Sequence, residues 1–269
     1  MYKAVVTDLD GTLLDKDHFL SEYTKEMMQK FLEKGYKLYI ATGRNEKGAR
    51  FVADKISKNI PIITTNGARV LDENNEELFS IFLDKKTNDI LTSVDYRSFG
   101  EEIFINGYEA DNWYVVDDSK LDEYFKRRID KKYYPDLISE KEFKSKRYNK
   151  IYFVGEFENL KKLRTYLEER ISDTANIAFV SKRSLEVYDK SATKLNAAKY
   201  LLKRDNIKES EVISFGDGLN DYEMLNGFEK SFVMDNALVE LKEKLPNKEV
   251  IENSHTDSVA RKVKEVFNL

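Results

Sequence analysis

The sequence predicts an α/β fold: a doubly wound, mainly parallel sheet covered by helices, with an α+β segment inserted in its middle. Three observations carry this. Short apolar runs alternate with amphipathic helical stretches in the first third of the chain, and the same alternation returns in the last third. The middle is built instead from paired runs with period-two patterning beside helical stretches.

In chain order, residues 3–7 read as a buried strand and residues 21–34 as a helix. Ser21 can cap that helix, Tyr23, Met27, Phe31 and Leu32 form its apolar stripe, and Gly35 stands where a left-handed closing residue is usual. A strand at 36–41, a helix at 45–57 and a strand at 61–65 continue the βαβ alternation. In the last third, a helix at 193–204, a strand at 212–215, a short helix after Leu219, strands at 231–234 and near Val250, and a helix at 257–267 repeat it. Between them, 102–105 with 113–116 and 177–180 with 184–188 look like hairpins. The stretch 125–152 interleaves Lys, Arg and Tyr, but Asp130, Asp136, Glu140 and Glu142 dilute its charge, so it reads as a solvated helix face. The expected organisation is a core of 1–83 and 187–269 around an insert at 84–186.

Composition narrows the function classes. The chain has 269 residues, 41% hydrophobic and 35% charged, with a net charge of -4, so no overall basic field draws it to nucleic acid or an anionic membrane. The absence of cysteine excludes disulfides, thiol nucleophiles and thiolate metal sites, and is compatible with the cytoplasm, the expected location. No leader pattern and no run of about eighteen uncharged apolar residues is present, so no membrane partner is expected.

The chemistry concentrates at strand ends. Asp8-Leu9-Asp10-Gly11-Thr12 follows the apolar run Ala4-Val5-Val6, and alternation along an extended chain points Asp8 and Asp10 the same way. Alone, those five residues read equally well as a strand and an acidic turn. Three near-matches to other motifs fail: 43–48 has Walker A glycine spacing but continues Ala49-Arg50, Gly216-Asp217-Gly218 has Asp221 at the third dinucleotide glycine, and Leu13 replaces the bend glycine of a calcium loop. Four segments survive, each just after a predicted strand or at a helix start: the Asp8 segment, Ala41-Thr42-Gly43-Arg44, Lys194, and 216–221. At the carboxyl ends of a doubly wound sheet these can meet. Asp8 is then a candidate nucleophile on phosphorus, Asp10 an acid and later a base, Asp217 a hard oxygen ligand for Mg²⁺, and Thr42 and Lys194 holders of phosphoryl oxygens.

In these ordered motifs the chain resembles the haloacid dehalogenase superfamily of phosphatases, in particular its Cof-type branch with a class IIB cap, over essentially its whole length. Asn66-Gly67 and the segment 234–237 are also similar to that branch, while Ser191-Ala192-Thr193 beside Lys194, and Ser258, depart from it by lacking a usual glycine. The resemblance implies a Rossmann-like core, a cap inserted after the third strand, and Mg²⁺-dependent hydrolysis of small phosphate esters through an aspartyl phosphate. It implies Asp8, Asp10 and Lys194 as catalytic, Thr42, Gly43, Arg44 and Asn66 around the substrate, and Asp8, Asp10, Asp217 and Asp221 at the metal, with Asp221 a direct ligand or a partner behind one. Arg44 and Asn66 read as substrate contacts or as loop scaffolding; His18, His255 and Trp113 read as surface or packing residues. The expected partner is a small phosphorylated metabolite such as a sugar phosphate. The alternatives are a sugar phosphomutase and a phosphate-sensing module in which phosphorylated Asp8 is the output.

Overall fold

The fold comes from a computed structural model that describes residues 1–117, 119 and 134–269. Contacts divide the chain into two units, 1–44 with 49–79 and 193–269, and 45–48 with 80–192.

The first unit holds strands β1 (Ala4–Thr7), β2 (Lys37–Ala41), β3 (Ile62–Thr64), β4 (Arg69–Leu71) and β5 (Glu77–Ser80), and then, past six strands of the second unit, β12 (Val212–Gly216), β13 (Lys230–Met234) and β14 (Glu249–Ile251). They form one eight-stranded sheet in the order β14-β13-β12-β1-β2-β3-β4-β5. From β14 to β3 all neighbours are parallel. Alternate residues serve opposite faces, and both faces are buried. Val5, Leu38, Ile40, Ile213 and Phe215 pack with side chains of α1 (Glu22–Glu33), α2 (Glu46–Ile56) and α8 (Ser258–Phe267). Ala4, Val6, Tyr39 and Val212 pack instead with Ala198, Leu201 and Leu202 of α6 (Lys194–Arg204) and with Met224 of α7 (Tyr222–Gly227). A sheet buried on both faces needs apolar residues at every position rather than every second one, which is why β1 reads as a continuous apolar run. The Rossmann-like α/β core is therefore the one expected.

Strands β4 and β5 extend the sheet beyond the expected elements. Thr65, Asn66 and Gly67 have φ of 53°, 59° and 96°, and this left-handed turn reverses the chain so that β4 runs antiparallel to β3. Gly67 is required there twice over, because a Cβ would lie 2.2 Å from the Thr193 carbonyl oxygen.

The second unit is an α+β structure. Its strands β6 (Phe104–Glu109), β7 (Asn112–Val115), β8 (Asp136–Leu137), β9 (Lys150–Val154), β10 (Ala175–Ser181) and β11 (Ser184–Asp189) form a six-stranded sheet in the order β10-β11-β9-β6-β7-β8. Ile105, Ile151, Phe153, Leu185 and Val187 pack against helices α3 (Lys85–Ser93), α4 (Glu140–Ser145) and α5 (Phe157–Ile171) through Leu91, Phe143, Leu160, Leu163 and Leu167. Because β11 continues to Asp189 and pairs with β9 and β10, this unit extends past residue 186.

Two details differ from the sequence expectations. The first hairpin pairs 104–109 with 112–115, not 102–105 with 113–116, because the turn falls at Ala110 with φ 50° and Glu102 lies before the strand, accepting from Asn159 Nδ2 at 3.0 Å. The stretch 125–152 is no single solvated helix face: residues 125–133 lie outside the described residues, and the remainder comprises β8, α4 and the start of β9. Lys150 sits in that strand, 1% exposed, donating to Glu186 Oε1 at 2.6 Å. Among the described residues no helix is long and apolar enough to cross a membrane.

Candidate active site

Parallel strands bring their carboxyl ends to one edge, and in the first unit each central strand delivers a polar group there. Asp8 follows β1, Thr42 follows β2, Asn66 follows β3, Asp217 follows β12 and Asn236 follows β13. The backbone N–H of Asp8 donates to Phe215 O at 3.1 Å, which ties the first acidic segment to the strand that carries Asp217.

Lys194, at the start of α6, is the hub. Its Nζ is wholly buried and donates to Asp8 Oδ1 and to Asp221 Oδ1, both at 2.6 Å. The departure from the family pattern next to it is structurally complete: the Thr193 hydroxyl accepts from Asn196 N at 3.0 Å and caps the helix. Asp221 is 1% exposed and its second oxygen accepts from the N–H groups of Asp217 and Gly218 at 3.1 and 2.9 Å. Asp221 thus both meets the lysine and shapes the loop that presents Asp217. Thr12 Oγ1 donates to Asp217 Oδ1 at 2.9 Å, and Asn236 Nδ2 reaches Gly11 O at 2.7 Å and Asp217 Oδ2 at 3.3 Å.

Asp8, Asp217 and Asp221 each offer an oxygen within 4.8 Å of the others, with one lysine among them. Burial raises the Asp8 carboxyl, Lys194 opposes this, and the charges of Asp221 and Asp10 add to it, so that it is pushed up to about 7. Asp217 is also raised well above its ordinary value, by burial first and then by Asp8 and Asp221. Burial would lower Lys194, but the charges of Asp221 and Asp8 outweigh it and hold the ammonium above its ordinary value. Three crowded carboxylates against one ammonium are the donor set of a hard divalent cation, and these residues fit one.

Asp10 departs from the expected metal set. Its carboxylate is not in that cluster: Arg44 donates from Nε to Oδ2 at 2.7 Å and from Nη2 to Oδ1 at 2.5 Å, and His18 Nδ1 lies 2.6 Å from Oδ1. Burial alone would raise its pKa, but the Arg44 charge and the hydrogen bonds from His18 and Arg44 carry it well below the usual carboxylate range. Arg44 is accordingly a partner of Asp10 here. Thr42 is 1% exposed, and its hydroxyl accepts from Arg44 N at 3.2 Å across the turn through Gly43. Asn66 accepts from Asn220 Nδ2 at 2.9 Å, a scaffolding contact between two strand-end loops. His255 is exposed, and Trp113 packs against Tyr108 while donating to Asn106 Oδ1 at 3.0 Å, as expected for surface and packing residues. His18 is likewise exposed, as expected of a surface residue, and in addition its ring meets Asp10. Thr12, Asn220 and Asn236 are further site residues; all three lie within the motif segments 8–12, 216–221 and 234–237, but their contacts with Asp217, Asn66 and Gly11 depend on how distant loops meet.

A family model for haloacid dehalogenase-like hydrolases matches residues 5–263. The chain belongs to that family. A Buchnera aphidicola (subsp. Baizongia pistaciae) protein is 32% identical over 274 residues, which cover 99% of this chain and 99% of its own length. The HMP-PP phosphatase of Klebsiella pneumoniae is 28% identical over 260 residues, covering 97% of this chain and 94% of that protein. A solved subclass IIB sugar phosphatase matches 99% of this chain and 100% of its own with a TM-score of 0.83 at 21% identity, and so shares the fold. The chain is a phosphatase-type enzyme of this family.

Proposed function

We propose that this enzyme hydrolyses small phosphomonoesters, sugar phosphates or related metabolites, with Mg²⁺ as cofactor and an aspartyl phosphate on Asp8. The observation that carries the reading is the buried Lys194, bridging Asp8 and Asp221 beside Asp217. Asp8, Asp217 and Asp221 are the groups that would hold the cation, whose bound charge offsets that of the carboxylates and of a phosphoryl group.

In this reading an Asp8 oxygen attacks phosphorus, the ester oxygen departs with a proton from Asp10, and Asp10 then takes a proton from the water that hydrolyses the acyl phosphate. Lys194 opposes the protonation that burial favours at Asp8 and aims its carboxylate, and Thr42 donates its hydroxyl proton to a phosphoryl oxygen. Arg44 holds Asp10 as a carboxylate, the form that serves as base. For the acid role Arg44 turns away, which an incoming phosphate favours by offering the guanidinium another two-oxygen partner. We assign the second unit the role of the cap that selects the leaving group. The relatives named for HMP-PP and sugar phosphates support a small phosphorylated metabolite as substrate.

The test is phosphate release from a panel of phosphorylated sugars, nucleotides and cofactors with Mg²⁺, together with acid quenching of a radiolabelled substrate. Label on Asp8, with loss of both label and release in Asp8→Asn, is the expected result. Turnover that survives Asp8→Asn would overturn the assignment. Labelled product esters without free phosphate would indicate a mutase, and stoichiometric labelling without turnover a sensor.

A further inference from the structure

We propose that His18 is a positioning residue for Asp10, holding its carboxylate where it exchanges a proton with the leaving oxygen and with water; this rests on the reading of Asp10 as the acid and base. His18 occupies an exposed turn, flanked by Lys16, Asp17 and Phe19, all exposed, so burial does not dictate its conformation. It nevertheless adopts φ 63°, a left-handed conformation that costs free energy in a non-glycine residue. Four hydrogen bonds impose it. Asp15 N donates to Phe19 O at 3.0 Å, His18 N to Asp15 O at 3.0 Å, and the Asp15 side chain accepts from Asp17 N at 2.8 Å and Phe19 N at 2.9 Å. The outcome of this over-determined turn is one contact: His18 Nδ1 lies 2.6 Å from Asp10 Oδ1.

A left-handed turn is not in itself a sign of function, since Asn75 and Ala110 adopt one too; the contact that this turn delivers to Asp10 motivates the functional reading. Arg44 contacts both oxygens of Asp10, but its guanidinium is also the group a phosphate attracts. His18 keeps the carboxylate aimed when Arg44 turns to the phosphate. The imidazole does not itself take the proton, which moves between Asp10 and the oxygen of the leaving group or of water.

Two variants separate this from a backbone role. His18→Gly removes the imidazole and suits the left-handed backbone, while His18→Asn keeps tolerance for that backbone and an amide donor. We expect His18→Gly to melt no lower than wild type, yet to lose about tenfold in kcat on an alkyl phosphate with KM little changed, a fraction of what proton transfer contributes. Its loss on an aryl phosphate, whose leaving group needs no proton, should be smaller, and His18→Asn should recover part of the alkyl activity. Equal losses on both esters, or none on either, would overturn the proposal. A readout independent of turnover is the ¹⁵N resonance of His18 Nδ1, expected to shift in Asp10→Asn while that of His255, the only other histidine, stays in place; an unmoved His18 resonance would also overturn it. Absence of phosphate release by wild type on every ester would instead count against the phosphatase reading, and the resonance would still decide the contact.

Discussion

A Cβ on Gly11 would stand 2.2 Å from Asp217 Oδ2. The first acidic loop lies so close to the Asp217 carboxylate that a side chain at position 11 would have to displace it, and Gly11 also has φ 76°. Gly11→Ala should cost about 1–2 kcal/mol for the left-handed backbone alone, and should push Asp217 from Thr12. Chemical denaturation with and without Mg²⁺ checks this: stability should fall and the metal response should shrink together.

The two strand-end acids should fail differently. Asp8→Asn should abolish turnover on every ester, whereas Asp10→Asn should lose about 10² to 10⁴-fold on alkyl phosphates and less on aryl phosphates. Steady-state kinetics on a leaving-group series would show a steeper dependence on leaving-group pKa for Asp10→Asn than for wild type.

Metal-free stability should decline as pH rises. The Asp8 carboxyl is pushed from its ordinary 3.8 to about 7, so between these values the folded chain retains a proton that the unfolded chain has released. Stability is then greatest below about pH 4 with respect to this group, and falls towards about pH 7. Asp217, raised in the same sense, adds to the slope. Urea melts in a chelator across this range should show the decline, and a weaker one in Asp8→Asn; an unchanged slope would contradict the assignment.

Mg²⁺ should reverse that penalty. At a hundredfold excess over its Kd it should stabilise the fold by about 2.7 kcal/mol, and Asp217→Asn should weaken the response while raising the Tm of the metal-free protein by removing one repelling charge. An identical metal-induced shift in wild type and Asp217→Asn would remove Asp217 from the ligands.

In the second unit, Lys150 and Glu186 form a buried pair at 2.6 Å, with the ammonium 4.9 Å from the Tyr108 ring centroid. Lys150→Met leaves a buried carboxylate with its main counter-charge gone and should cost about 3–5 kcal/mol, while adding Glu186→Leu should return much of it. A double-mutant cycle by denaturant melts would give the coupling, and additive losses would show the pair to be independent.

Much of the core and its acids was legible because the signals are local. The apolar run before Asp8, the Ser21 cap and the Asp217-Asp221 spacing each lie within one or two turns of chain. What stayed hidden depends on contacts between distant segments or on backbone choices that composition does not encode. The partnership of Asp10 with His18 needs a left-handed turn at His18, and that of Arg44 with Asp10 depends on how two strand-end loops face each other. Strands β4 and β5 are too short to show a period, and Lys150 hides a buried strand position behind a charged side chain.

The pairing of Val5 with Ile213 on one side and Leu38 on the other has a consequence for how the enzyme is made. During synthesis β1 finds β2 early, but its second neighbour emerges only after residues 80–192 have been made. That intervening unit draws every partner of its own sheet from within itself and can fold first, as domains on a ribosome do. Closure of the central sheet waits for the last third of the chain, and with it arrive Lys194, Asp217 and Asp221. A nascent chain therefore holds a complete second unit before Lys194 and the three carboxylates around it can meet, and the acidic cluster is among the last features it assembles.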